Sequence, residues 1–531
     1  MKKNKVLEKD KLDNSLKLLI KSSFVVFIGL ILSKIIGYAY RIIIARYFGP
    51  EIYGFFSLAL SITVLFVSIA GFGLNDGLLR FIPLLRAKNK IEDIKYLFKK
   101  TIKFYWISGL VTSILLIILS DFISLTIFHN IDLSIFIKIM GSTIILHLFT
   151  GTFLVIFRGY EKIGWYSFVY NILMNISRFG ILVLFVLIGL KSESNIVAWS
   201  FVIGSLITLI GAYIISRYIV PQIFEKYDKK DYSKLSKEFI HYSWPVMFYG
   251  IISLIFYWID TFSLGYYKSA IEVGIYNAAV PIALLLGFIP EIFMQLFFPL
   301  INKEYSQKNY KLIEQLSKQV TKWIFISILP IFILIFFFPG AVLNILFGVE
   351  YLPAVTALRL LLVGTFVSAV FIVSNNLISM LGKSKLILKN IIAAAIINLI
   401  LNSILVPSPN IFGFNNTNGL IGAALSTLIS LVFFNVLFLI QTKKYLSFLP
   451  FRRKMITITL ISLIPTFILF YLRSMIPLNV FSMATIAILF ILLYCILILI
   501  SNSLDENDWM IIKGVWKKIF IRKKEKQFKF N

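Results

Sequence analysis

Charged and amide side chains are few in the apolar stretches of this 531-residue chain. Lys34 and Arg41 stand seven residues apart with Tyr38 between them, so on a helix all three share one stripe. A cation at bilayer depth costs about 2.5–3.5 kcal/mol on insertion scales, so a stripe carrying two of them faces water or an anion rather than acyl chains. Arg178 and Arg359 are further cations inside apolar runs. These five residues predict a cationic cavity for a phosphate or pyrophosphate group, with arginine as a bidentate donor and lysine as a point charge. Snorkelling or an internal ion pair is the plain alternative, and it suits Arg359 best.

A second set is acidic or amide. Asp260 lies in Trp258-Ile259-Asp260-Thr261, Asn398 and Asn402 form an i,i+4 pair, and Ser426-Thr427 falls in the next apolar run. Asp260 either carries a proton or belongs to a polar cluster that packs helices; Glu291, between Pro290 and Ile292, is another proton-carrier candidate. His147 reads as a hydrogen-bonded buried histidine, and Asn375-Asn376 as either bonds across helices or contacts to sugar hydroxyls, with packing the plainer reading. Asp76 and Arg80, four apart, predict either a local ion pair or a gate. Asn415-Asn416-Thr417 has the glycosylation spacing, a signal of low specificity. With three histidines and one cysteine, Cys495, the residues pick out no catalytic group and no resident cofactor.

The elements that must position these groups are membrane spans. Hydrophobic residues make up 59% of the chain and charged residues 15%, against roughly 45–50% and 25% in soluble domains. This balance excludes a soluble enzyme, a nucleic-acid module and a disordered chain. The fold expected is an all-α polytopic membrane protein with about fourteen transmembrane helices. Of the 53 Lys and Arg, all but nine fall in the N-tail, the even-numbered connections or the C-tail. Arg46, Lys138, Lys191, Lys268 and Arg473 mark odd-numbered connections, and Lys34, Arg41, Arg178 and Arg359 lie within spans. This asymmetry predicts that both termini are cytoplasmic, so the net charge of +28 follows topology and calls for no nucleic-acid partner.

Weak matches at offsets near 220 suggest duplication. Ser22-Ser23-Phe24 aligns with Ser243-Trp244-Pro245, Tyr53-Gly54 with Val273-Gly274, and Gly159-Tyr160-Glu161-Lys162 with Gly382-Lys383-Ser384-Lys385. The domains expected are a basic N-tail (1–21), a six-helix lobe (22–220), a cytoplasmic linker (221–240), a second six-helix lobe (241–441) in parallel repeat, two extra helices (454–501) and a basic amphipathic C-tail (502–531). The stretch Ile91–Lys103 is expected to lie at the membrane interface, as is the C-tail. In parallel repeats of this kind, substrate sites lie between the halves.

The string Leu32-Ser33-Lys34-Ile35-Ile36-Gly37-Tyr38-Ala39-Tyr40, leading to Ala45-Arg46-Tyr47-Phe48-Gly49-Pro50 and Tyr53-Gly54, resembles the first span and turn of two kinds of protein. They are the polysaccharide flippases and the lipid II flippases of the multidrug/oligosaccharidyl-lipid/polysaccharide exporter superfamily. The resemblance covers essentially the whole chain. It implies a pair of bundles that rock by alternating access, two extra helices that help form a groove for a polyprenyl tail, and first-span cations matched here by Lys34 and Arg41. It also implies a sodium site built from Asp260, Asn398, Asn402 and Thr427, although the family's second carboxylate on span 11 is an asparagine here. The function implied is a flippase moving a polyprenyl-linked glycan precursor outward, without catalysis, in a cell membrane. Its expected partners are that lipid, a coupling sodium ion or proton, and glycosyltransferases of the same pathway. A drug/cation antiporter would want carboxylates in its cavity, and a membrane glycan polymerase or ligase would need a large external loop or clustered acidic and histidine residues.

Overall fold

The computed structural model describes residues 2–190, 193–228, 230–473 and 480–501, with side chains from position 31 onward except at 296, 472, 473 and 480. The C-tail 502–531 and the side chains of the N-tail lie outside the described residues. Among the described residues seventeen α-helices follow in chain order. They are α1 (Lys2–Gly71), α2 (Leu74–Ala87), α3 (Ile91–Phe122), α4 (Asp132–Gly141), α5 (Ile144–Gly159), α6 (Ile163–Ser167), α7 (Met174–Leu187), α8 (Ile196–Ile219) and α9 (Ser233–Tyr267). Then come α10 (Ala270–Ser306), α11 (Tyr310–Phe337), α12 (Pro339–Leu346), α13 (Val355–Met380), α14 (Ser384–Leu405), α15 (Leu420–Leu446), α16 (Lys454–Arg473) and α17 (Val480–Ile500). A two-stranded hairpin, β1 (Asn410–Ile411) and β2 (Phe414–Asn415), joins α14 to α15.

Thirteen helices among the described residues are long and apolar enough to cross a membrane. The first, Ile31–Gly71, is broken at Gly49, whose φ of 79° only glycine adopts without strain, and Pro50 follows it. That break divides it into two spans and brings the total to fourteen. The second half is interrupted again at Phe72 and Gly73, both at positive φ, before α2 resumes. The chain is a multi-pass membrane protein.

Two compact units are present. The first takes in the chain up to Ile282, Leu346–Leu361 and Leu388–Ser430. Its helices meet at small side chains, as where Gly204 of α8 lies against the backbone of Arg178 on α7. The second takes in Ala283–Ile345, Leu362–Ile387 and the chain from Leu431 on. Its core joins Ile324 and Ile328 of α11, Val373 and Leu377 of α13, Ile458 of α16 and Phe490 of α17. There Pro330 cannot donate to the Ile326 carbonyl, and the Tyr494 hydroxyl of α17 donates to it instead at 2.9 Å.

Residues Ile91–Lys103, expected as an interfacial segment, run without interruption into α3. Local ion pairs make this affordable. Lys95 bonds Glu92 at 2.8 Å and Glu225 at 3.0 Å, and Lys230 pairs with Asp93 at 2.6 Å. The Tyr96 and Tyr232 rings stack 4.1 Å apart, tying residues 225–232 to α3. The hydrogen bond that Lys230 donates to the Asp93 carboxylate raises its ammonium above its ordinary pKa.

Candidate functional site

The first-span stripe takes shape on α1. Ser33 accepts from Asn175 of α7 at 3.0 Å, and Gly37 also abuts Asn175, so this face is packed. Lys34, next to it, is exposed and makes no hydrogen bond or ion pair among the described residues. One turn on, the Tyr38 hydroxyl donates to the Pro281 carbonyl at 2.7 Å. Arg41 has Tyr53, Tyr257 and Tyr38 as electrostatic neighbours. No carboxylate pairs with it among the described residues. The structure therefore brings Lys34, Tyr38 and Arg41 along one wall that carries positive charge and phenol hydroxyls.

The other arginines are elsewhere. Arg178 donates to His147 Nε2 at 3.1 Å and to Ser205 Oγ at 3.2 Å, and its guanidinium lies 4.0 Å over the Phe201 ring. The tautomer of His147 follows, because Nδ1 faces the Thr143 carbonyl at 2.8 Å and a carbonyl can only accept. Nδ1 thus carries the proton, and Nε2 accepts from Arg178. His147 also stacks on Phe201, at 5.5 Å and 18°. These contacts commit the guanidinium to neutral neighbours on α5 and α8. Arg359 is half-buried in the first turns of α13 and is partnered.

Asp76 and Arg80 do not form the ion pair that their spacing predicts. Arg80 lies over the Tyr242 ring of α9 at 4.1 Å, while Arg158 is the cation acting on Asp76. An exposed i,i+4 pair is worth only a few tenths of a kcal/mol, so a cation–π contact competes with it easily.

The acidic set converges. Asp260 Oδ2 accepts from the Tyr276 hydroxyl and from Thr427 Oγ1, each at 2.5 Å, and Oδ1 accepts from Asn402 Nδ2 at 3.0 Å. Asn402 Nδ2 also reaches Asn398 Oδ1 at 2.7 Å. Asp260 is 7% exposed, Asn398 1% and Asn402 0%. No ammonium or guanidinium pairs with this carboxylate among the described residues, and Asn402 Oδ1 is buried without a hydrogen-bond partner. Four helices supply the groups: α9 gives Asp260, α10 Tyr276, α14 the two asparagines and α15 Thr427. Glu291 belongs to the second unit, is exposed, and has no place in this cluster.

Donor chemistry tests whether a sodium ion fits here. The set offers one carboxylate, an orphaned amide oxygen, a second amide oxygen and a hydroxyl, all of them the hard oxygen donors that such a cation takes. The residues fit. A group of three or more His, Cys, Asp or Glu, which a transition metal would want, is absent among the described residues.

Three residues of the assembled site were not picked out from the sequence: Tyr53, Tyr276 and Asn277. The available signal is proline spacing. Pro281 lacks an N–H, so the carbonyl four residues earlier, that of Asn277, needs an outside donor; the buried Tyr53 hydroxyl supplies it at 3.0 Å.

The family described as Polysaccharide biosynthesis protein matches residues 19–305, and the MatE family matches residues 245–404. An uncharacterized membrane protein of Methanocaldococcus jannaschii is 24% identical over 408 residues, covering 74% of this chain and 77% of its own length. A proposed O-antigen transporter of Shigella flexneri is 25% identical over 362 residues, covering 65% of this chain and 80% of its own. In fold, the chain is similar to the lipid II flippase MurJ in an inward closed conformation: TM-score 0.71, 18% identity, 94% of this chain and 100% of that one. It is also similar to an inward-facing multidrug MATE transporter, with a TM-score of 0.64 and 14% identity over 78% of this chain and 94% of that one. Matched over more than half its length, this chain belongs to the polysaccharide biosynthesis protein family, in the polysaccharide-transporter branch of the multidrug/oligosaccharidyl-lipid/polysaccharide exporter superfamily of membrane transporters.

Proposed function

We propose that this chain is a flippase that moves a polyprenyl-(pyro)phosphate-linked oligosaccharide from the cytoplasmic to the outer leaflet of the cell membrane by alternating access, with both termini cytoplasmic. One observation carries this proposal: Arg41 has tyrosines as its electrostatic neighbours, and no carboxylate pairs with it among the described residues. A guanidinium within a span and without a counter-ion has a full charge to offer an anion, and two parallel N–H donors match a phosphate edge. Lys34, exposed on the same stripe, adds a point charge. Tyr38 fixes the wall through its bond to Pro281. The relatives named for lipid II flipping and O-antigen transport support a lipid-linked glycan as the cargo.

In this scheme Asp260, Asn398, Asn402 and Thr427 form the coupling site. A sodium ion held there would supply the positive charge that the buried carboxylate lacks; a proton on Asp260 would do the same with fewer ligands. Sodium-dependent stabilisation of the purified chain that disappears in Asp260→Asn selects sodium, and its absence in the wild type selects the proton.

The test of cargo is reconstitution with a fluorescent undecaprenyl-pyrophosphate oligosaccharide. Lys34→Ala with Arg41→Ala is expected to abolish its translocation while leaving the chain folded, and normal flipping by that double variant removes the proposal. The MatE match over residues 245–404, which contains Asp260, favours a cation-coupled drug antiporter as the second candidate. Export of organic cations by the wild type, together with failure to flip the pyrophosphate lipid, would select it.

A further inference from the structure

The helices that carry Asp260, Asn398 and Asn402 also wall a cavity of about 430 Å³ that the proposed transport scheme does not use. It lies inside the first unit. Leu65 of α1, Ile123 and Ile127 at the end of the span Ile91–Ile127, Ile255 and Ile259 of α9, and Leu399 of α14 line it. Protein interiors leave few voids larger than a water molecule, so a space of this size calls for an occupant.

Polarity limits what that occupant is. No charged residue lines the cavity, and its polar lining is four hydroxyl-bearing side chains: Ser263, Ser403, Tyr266 and Tyr267. Ser403 Oγ already donates to the Leu399 carbonyl at 2.9 Å. A buried water takes two to four polar partners, which the aliphatic walls do not offer. Leu399 is 53% exposed and Tyr266 49%, so the cavity opens outward, and it does so from within membrane spans.

Depth and volume limit it further. The cavity reaches the last turn of three spans, at Ile127, at Tyr266 and Tyr267 of α9, and at Ser403 of α14. Along α9 it runs from Ile255 to Tyr266, about 16 Å of helix at 1.5 Å per residue. One leaflet's share of a hydrocarbon core about 30 Å thick is about 15 Å. The two phenols therefore stand where a span meets the headgroups, the usual place of tyrosine. An apolar cavity of about 150 Å³ holds the six carbons of benzene, so this one has room for roughly eighteen. That is one lipid chain.

The backbone is shaped to leave this room. At Ile123–Ile127 the helix opens into a single π turn, with the Phe128 N–H on the Ile123 carbonyl at 3.2 Å. Such turns are rare and are found frequently at functional sites. Both ends of this one line the cavity. We infer that the cavity binds one hydrocarbon chain of a membrane lipid, from the leaflet that these span ends meet, with the lipid's polar end at Tyr266 and Tyr267. There the chain fills the space between α1 and the two helices that carry Asp260 and its asparagines. This needs only that the protein spans a membrane, and it holds whatever the cargo is.

The test is photolabelling of the purified full chain in nanodiscs of phosphatidylethanolamine and phosphatidylglycerol, doped with a phosphatidylcholine bearing a diazirine in one acyl chain. The peptides containing Ile123–Phe128 and Phe262–Tyr267 are expected to be labelled about five-fold more than α16, the ratio that about 1 kcal/mol of preference gives. Ile456, Leu460 and Phe467 make α16 a fair reference, because all three are exposed. Leu399→Trp and Ile127→Trp fill the cavity from two different walls, at exposed positions where a larger side chain spares the core. Each should bring the cavity peptides down to the α16 level and leave α16 itself unchanged. Wild-type labelling no stronger than that of α16, or preferential labelling that either folded variant leaves intact, overturns the inference. So does a diazirine-bearing undecaprenyl phosphate that labels these peptides more strongly than the phosphatidylcholine at equal mole fraction, because the occupant is then a polyprenyl tail.

Discussion

Arg41 and Arg178 both lie within spans of the first unit, and their surroundings treat the same side chain in opposite ways. Arg178 is enclosed by neutral acceptors and an aromatic face: His147 Nε2, Ser205 Oγ and the Phe201 ring. Arg41 has three tyrosines, Tyr53, Tyr257 and Tyr38, as its electrostatic neighbours. Burying a guanidinium demands that its donors be satisfied. At Arg178 the protein supplies neutral acceptors for Nη2 and an aromatic face for the plane, while Nε is buried without a partner. At Arg41 it leaves the charge for something else to meet. The difference teaches that a cation in a span is not a binding residue by virtue of its position. What distinguishes one is the inventory of acceptors around it.

Graded substitutions can break this comparison. The largest effect is expected at Arg41. Arg41→Ala should lower the rate of pyrophosphate-lipid flipping by roughly two orders of magnitude, the scale set by removing one partner of a desolvated charge pair. Arg41→Lys, which keeps the charge but loses the fork, should recover only part of it. Initial rates in proteoliposomes measure both, and equal rates for Lys and Ala would remove the role of bidentate geometry. Arg178→Ala is the counterpart. Its flipping rate should stay within about three-fold of wild type, while detergent-phase unfolding shows a loss of about 1–3 kcal/mol from the acceptors left unpaired. A variant that is stable yet inactive would put Arg178 in the transport path and erase the contrast.

His147 sharpens the same point. Gln can accept from Arg178 where His147 Nε2 does, so His147→Gln should cost about 1 kcal/mol or less, and His147→Leu more, because it leaves the guanidinium N–H unpaired. Thermal unfolding of the two variants gives the order, and the reverse order would refute the tautomer assignment.

The smallest effect is expected at Lys230, a cation outside the spans that is ion-paired to Asp93. Because that bond raises the Lys230 pKa in the folded chain above its ordinary value of 10.5, its contribution is fully present below that value. It is lost as pH climbs through the raised value. Lys230 is half exposed, so the contribution is under about 1 kcal/mol and is screened by salt. Lys230→Ala should therefore shift the unfolding midpoint slightly at pH 7 in low salt and not at all in 1 M salt. A salt-independent loss would mean that packing, not charge, is at work.

Much of the fold was legible because spans are set by hydropathy over about 20 residues, and composition states that plainly. Breaks inside spans were not. Phe72 and Gly73 interrupt a run that reads as continuously apolar, since hydropathy is blind to φ. That α3 begins as far back as Ile91 was not legible either, because Glu92, Asp93 and Lys95 look polar in sequence but are paired with one another or with residues 225–230. The residues of the Asp260 cluster were legible by type. Their convergence was not, because Asn402 reaches Asp260 across 142 positions of chain and Thr427 across 167. Arg41 and Arg178 were indistinguishable for the same reason: His147 and Ser205 lie 31 and 27 residues from Arg178 in sequence. No local spacing rule reaches that far.

The role of Arg41 can be tested without knowing the cargo in advance. Wild type and Arg41→Gln are purified in parallel from the native membrane into nanodiscs, and their bound lipids are identified by native mass spectrometry. The wild type should retain a phosphate- or pyrophosphate-linked glycan lipid that the variant lacks. Equal retention by both, or a wild type carrying only bulk phospholipid, would contradict an anionic lipid head held at Arg41.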